Sequence, residues 1–140
     1  QKLEEVISSG KALETLKTFI EAQNGDPSIV DDPEKLPKAK HLIEVKAKQS
    51  GSVSAIVADK IGTAAMLLGA GRATKESEID LAVGLVLNKK IGDKVEAGDS
   101  IVTLHSNNED VQNVIDMVLN AYSITSDNVE KPTLIYDEIH

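Results

Sequence analysis

The chain has 140 residues, 41% of them apolar, with one Phe, two Tyr and no Trp, the composition of one ordinary globular domain around a core of Val, Ile, Leu and Ala. Its formal charge of -8 argues against nucleic acid or acidic lipid as a partner, because binding phosphate backbones depends on clustered Lys and Arg. With no cysteine there is neither a disulfide framework nor thiolate chemistry, and His41, His105 and His140 lack a metal-ligand spacing, so neither metal nor cofactor is expected.

No basic-then-apolar leader and no run of membrane-spanning length occurs in the sequence, so no membrane partner is expected and a cytoplasmic location is. Gln1 falls directly inside a helical pattern, as in a piece of something longer. Leu13, Leu16, Phe19 and Ile20 recur at helical spacing and predict a helix over residues 9–23, stopped by Asn24-Gly25-Asp26-Pro27. Residues 27–40 carry three prolines and a run of Asp and Glu and read as a solvated acidic linker. Residues 1–26 are then a helical segment of a preceding region, and a C-terminal domain occupies residues 41–140. Within it Leu42 opens a strand to Ala47, Gly51 interrupts, and Val53, Ile56 and Val57 begin a second strand. Asp59 is expected to cap a helix that runs to Leu68 and ends at Gly69. Residues 79–87 form a long β-branched and leucine run whose Gly84 suggests a bulge or a close backbone approach. Ile101 to Leu104 reads as a strand. Asn107 or Asn108 can cap a helix with Val111, Val114, Ile115, Val118 and Leu119 on its inner face, and Thr133-Leu134-Ile135-Tyr136 favours a last strand. The order of elements predicts an α+β fold.

Gly92-Asp93-Lys94-Val95 and Gly98-Asp99-Ser100-Ile101 are two turns that each lead into an apolar position. They resemble the turns of biotinyl and lipoyl carrier domains, which present a modified lysine on a hairpin. At the place of that lysine stands Ser106-Asn107-Asn108, while Asp59-Lys60 precedes the turns and enters a helical pattern. A non-catalytic binding or carrier module is therefore the alternative function, and Lys60 is expected to stay unmodified.

Taken in order, Ser9-Gly10-Lys11-Ala12-Leu13, Phe19, Ala22-Gln23-Asn24-Gly25-Asp26, Gly51-Ser52-Val53, Leu68-Gly69-Ala70-Gly71-Arg72, Ile79-Asp80, Val83-Gly84-Leu85 and the two Gly-Asp turns resemble the C-terminal portion of pyrimidine nucleoside phosphorylases, the group that includes thymidine phosphorylase. The likeness covers nearly the whole chain. Asn24 departs from the family's Ala-Gln-Gly-Gly-Asp word, a mild change because Asn tolerates left-handed backbone. The resemblance implies an enzyme, homodimeric at full length, whose partners are phosphate and a pyrimidine nucleoside. Its products would be a free base and a pentose 1-phosphate. It also implies an α/β-hammerhead domain related to barrel-sandwich hybrids. In the family a Lys-His-Ser-Thr-Gly-Gly-type loop cradles phosphate, and an Arg, a Ser and a Lys of another segment hold the base. Neither word occurs here, so no catalytic or substrate-binding residue is expected in this chain.

Leu67 to Arg72 is written like a phosphate-binding loop, since glycines let backbone N–H groups approach an anion and a guanidinium adds charge. The same letters end an ordinary helix. Gly69 and Gly71 are expected to turn the chain, with Arg72 pairing with a carboxylate or carbonyl at a domain surface. Glu76, Glu78 and Asp80 read as a solvated turn rather than a metal site, and Lys89 and Lys90 as an exposed turn.

Overall fold

The computed structural model describes residues 2–72 and 74–139, so Gln1, Ala73 and the expectation placed on His140 lie outside the described residues. The chain divides into two compact units after Pro37. In the first, α1 (Lys2–Ser8) and α2 (Lys11–Ala22) are followed by two short 3-10 turns, Pro27–Val30 and Pro33–Lys35. Helix α2 ends in a Schellman motif: Asn24 N–H donates to the Glu21 carbonyl and Gly25 N–H to that of Ile20, both at 2.9 Å. Asn24 takes φ 61, the left-handed conformation that Asn enters more readily than most residues. Asp26 and Asp32 each accept a backbone N–H two residues on, from Ser28 and Glu34, which starts each 3-10 turn. Lys17 bridges to Asp31 at 2.9 Å, and the hydrogen bond to Asp31 holds its ammonium above the usual lysine range. None of residues 2–37 is buried, and Leu13, Leu16 and Phe19 stay 54%, 44% and 63% exposed.

The second unit contains two three-stranded antiparallel sheets. One has β1 (His41–Lys46), β5 (Ser100–Ser106) and β3 (Gly84–Leu87) in that order; the other has β4 (Lys94–Val95), β2 (Gly51–Ile56) and β6 (Tyr122–Thr125). Helices α3 (Ala58–Ala65) and α4 (Gln112–Leu119) complete this α+β unit. Val45, Val53, Ile101, Val102, Leu104, Val114 and Val118 are almost wholly removed from water, the aliphatic core that the composition predicts.

Local expectations are corrected at several places. The run 79–87 is strand only from Gly84, because the Asp80 carboxylate accepts Ala82 N–H at 2.9 Å and holds the preceding residues in a turn. Gly84 itself continues a regular register opposite His105, and a Cβ there would meet nothing within 4 Å, so it marks neither a bulge nor a close approach. Helix α3 starts at Ala58 with Val57 as its cap residue, which places Asp59 inside the first turn. Helix α4 starts after Val111, well beyond the end of β5 at Ser106, so neither Asn107 nor Asn108 caps it. The last strand is Tyr122–Thr125, paired with β2, whereas residues 133–136 form no strand. Their β-propensity finds no ladder among the described residues, and a strand exists only by pairing.

Close approach, rather than local propensity, explains one glycine. A Cβ on Gly51 would run into the carbonyl oxygen of Thr125 on β6. Gly51→Ala is therefore expected to lower stability by about 2–4 kcal/mol. Gly62, inside α3 with open space around it, should give the opposite sign, a gain of about 0.5–1 kcal/mol for Gly62→Ala. Urea unfolding of both variants checks the pair.

Candidate functional site

The glycine turn is built from the end of α3. After Ala65 the helix widens into a π-type turn, Met66–Ala70, anchored by the buried side chain of Leu68. Gly69 breaks the helix with φ 108 and ψ 0, and its carbonyl accepts the N–H of Asp80 at 3.0 Å. Gly71 is extended and packed so closely on Met66 that a Cβ would sit 3.3 Å from that side chain. The structure thus brings Gly69, Gly71 and Arg72 into one turn. Arg72 is exposed and has no hydrogen bond or ion pair among the described residues. The turn stands at a helix C-terminus, where the unpaired groups are carbonyls and the dipole is negative, the reverse of an anion-binding helix N-terminus.

Beyond the turn, Thr74 and Ser77 close a small loop, with Thr74 N–H on the Ser77 hydroxyl at 3.0 Å. Glu76 and Glu78 are exposed, while Asp80 is half-buried and faces the other way, toward Ala82 and Asn107. No cluster of three His, Asp or Glu that could hold a metal occurs among the described residues. His41 begins β1 and His105 lies on β5, paired with Leu42 and Gly84. The amine of Lys60, on α3, donates to the Asn120 carbonyl at 3.1 Å.

The two Gly-Asp words fold alike. Lys90 to Asp93 and Glu96 to Asp99 are turns in which Gly takes φ 87 or 97 and the Asp carboxylate accepts the backbone N–H three residues back, at 2.8 and 3.1 Å. Lys131 pairs with Asp93 at 2.8 Å and, with the Lys90 N–H, holds that carboxyl below its ordinary range. The Glu96 N–H and then Lys89, at 3.2 Å, do the same for Asp99. Lys89 is accordingly half-buried and paired, which corrects the reading of Lys89 and Lys90 as one exposed turn. Its carbonyl accepts the hydroxyl of Tyr122 at 2.9 Å, and burial pushes that phenol up to about 12. Beside this region an open apolar groove of about 620 Å³ runs between Ile56, Ile61, Leu87, Ile91 and Pro132.

Residues 52–125, which include the glycine turn, both Gly-Asp turns and Asn107, match the family described as pyrimidine nucleoside phosphorylase C-terminal domain. The chain belongs to this family. It is 59% identical over 137 residues to the pyrimidine-nucleoside phosphorylase of Geobacillus stearothermophilus, covering 98% of this chain and 32% of that protein. The Bacillus subtilis (strain 168) pyrimidine-nucleoside phosphorylase is 59% identical over 96% of this chain, and that of Staphylococcus aureus (strain USA300) is 56% identical over 94%. The chain spans about a third of the length of the curated relatives it matches. No helix of the described residues is long and apolar enough to cross a membrane.

What sequence reasoning missed in this phosphorylase domain is Asn107. Its polar pair with Asn108 reads as a helix cap, yet its side chain reaches Lys40 and Asp80. The two turn carboxylates give a pH prediction. Both have folded pKa values below the ordinary 3.8, so on acidification the unfolded chain takes up protons first. Stability is present above about pH 4 and falls as pH drops through the lowered values. Asp99→Asn should be less stable at neutral pH and lose less on acidification, as read from urea midpoints between neutral pH and about pH 2.5.

Proposed function

We propose that this chain is the C-terminal part of an enzyme that cleaves a pyrimidine nucleoside with inorganic phosphate, releasing the free base and a pentose 1-phosphate. The observation that carries this reading is the family match over residues 52–125, extended by 59% identity along 98% of the chain. Phosphate is the nucleophile in such a reaction, so no protein nucleophile is needed. The demands are a donor-rich cradle for phosphate, groups that stabilise charge on the departing base, and a closed cleft that aligns them. The phosphate-cradle and base-binding words are absent from this sequence, which supports placing those groups in the remaining two-thirds of an enzyme of the relatives' length. The domain here serves as scaffold and as one wall of the closing cleft.

Four further features complete the proposal. Residues 41–140 form an α/β-hammerhead domain, a reading supported by the two small antiparallel sheets and the paired Gly-Asp turns. Residues 1–26 belong to the preceding region and 27–40 are the linker, supported by the unburied apolar face of Leu13, Leu16 and Phe19. The full-length enzyme is a cytoplasmic homodimer that binds no nucleic acid; the charge of -8 supports the last point. Arg72 and its glycines form a surface turn that meets the rest of the enzyme, supported by the exposure of Arg72 and its position at the carbonyl end of α3.

Two experiments test this. The 140-residue chain mixed with uridine and phosphate should release no uracil, whereas an enzyme of the relatives' length carrying it should turn over; turnover by the purified short chain would place the active site inside it. In that longer enzyme, Arg72→Ala should leave phosphate affinity unchanged by calorimetric titration while lowering stability or slowing closure. A loss of about 1.5–3 kcal/mol in phosphate binding would instead mark Arg72 as a ligand.

A further inference from the structure

Asn107 lies just past the end of β5, half-buried, and its side chain bonds in two senses at once. Its Oδ1 accepts the backbone N–H of Lys40 at 3.0 Å, and its Nδ2 donates to Asp80 Oδ2 at 2.7 Å. A backbone N–H needs an acceptor and a carboxylate needs a donor, so only one orientation of the amide serves both neighbours. The other oxygen of Asp80 accepts Ala82 N–H at 2.9 Å, and Asp80 N–H donates to the Gly69 carbonyl at 3.0 Å. Lys40 immediately precedes β1 and lies shortly after the division between the two units at Pro37. A continuous path of hydrogen bonds therefore runs from the point where the chain enters the second unit, through Asn107 and Asp80, to the turn that carries Arg72.

We infer that Asn107 and Asp80 are positioning residues that couple the chain junction at Lys40 to the Gly69–Arg72 turn. The charge-assisted bond between them is the strong link, and its half-buried place limits competition from water. Neither residue is used elsewhere in the proposed chemistry. A shift of the junction moves the acceptor of Lys40, and through Asp80 it moves the N–H that holds the Gly69 carbonyl. The effect on turnover rests on the phosphorylase reading; the coupling itself does not.

The test exchanges the two groups in an enzyme of the relatives' length carrying this domain. Asp80→Asn sets two amide donors against each other, and Asn107→Asp sets two carboxylates together. In the double variant every bond can re-form: the amide now at position 80 accepts from Ala82 and donates to the carboxylate now at position 107, whose second oxygen accepts from Lys40. Amide hydrogen exchange is followed over residues 38–42 and 69–82, together with kcat and KM for uridine phosphorolysis. Each single variant should speed exchange in both segments on the order of tenfold and lower kcat with KM for phosphate unchanged; the double variant should restore both. Asn107→Ala removes both bonds without opposing like groups, so it serves if a single variant fails to fold, with the same joint acceleration expected. Acceleration confined to the segment nearest each substitution, or no rescue in the double variant, overturns the coupling. Joint acceleration with unchanged kcat sustains the coupling and instead refutes the closure role given to the turn.

Discussion

Four backbone hydrogen bonds fix the two Gly-Asp turns onto the strands of the two small sheets. Ala47 N–H donates to the Asp99 carbonyl and Gly98 N–H returns a bond to Ala47, while Val53 N–H donates to Asp93 and Gly92 N–H returns one to Val53. Each Gly-Asp turn is thus clipped reciprocally to a buried residue, Ala47 just past β1 at 4% exposure and Val53 within β2 at 0%. The two clips have the same construction, and between them run only β4 and the start of the second turn. Each clip carries an antiparallel pairing past the end of a short strand, β1 with β5 and β2 with β4, and both clipped residues belong to the hydrophobic core. A glycine is required because the turn needs positive φ at that residue, and an aspartate because its carboxylate takes the N–H at the start of the turn.

The turns were legible in the sequence because everything they need lies within a few neighbouring residues. The same holds for the stop of α2 at Asn24 and for the break of α3 at Gly69, where a residue suited to left-handed backbone stands at the required place. The α+β class followed from the order of apolar periods. Two of the readings that failed depended on partners far along the chain, while the cap of α3 and the turn before Gly84 failed on local backbone detail. Tyr122–Thr125 is a strand because β2 lies beside it, and the more β-prone residues 133–136 are not, because nothing described pairs with them. Asn107 looked like a cap since caps are local, but its partners are Lys40 and Asp80.

The candidate site was legible as letters and not as geometry. Two glycines and an arginine specify a turn, and only the structure places that turn at the carbonyl end of a helix, with Arg72 directed to solvent rather than to a neighbouring carboxylate. The first unit makes a related point. Its amphipathic pattern is plain in Leu13, Leu16 and Phe19, yet none of its described residues is buried, so hydrophobic periodicity identified a face without identifying what covers it.

The pairing of the strands also dictates an order of events during synthesis. Strand β1 pairs with β5, with His41 opposite Ser106, and β2 pairs with β6, with Ser52 opposite Thr125. As the chain leaves the ribosome, β1 and β2 therefore emerge long before the strands that complete their sheets. Contacts of such wide separation form late and slowly. Between the synthesis of β1 and β2 and that of β5 and β6, Val45 and Val53 can be shielded from water only by transient collapse or by a chaperone, and the edges of both strands stand open to other nascent chains.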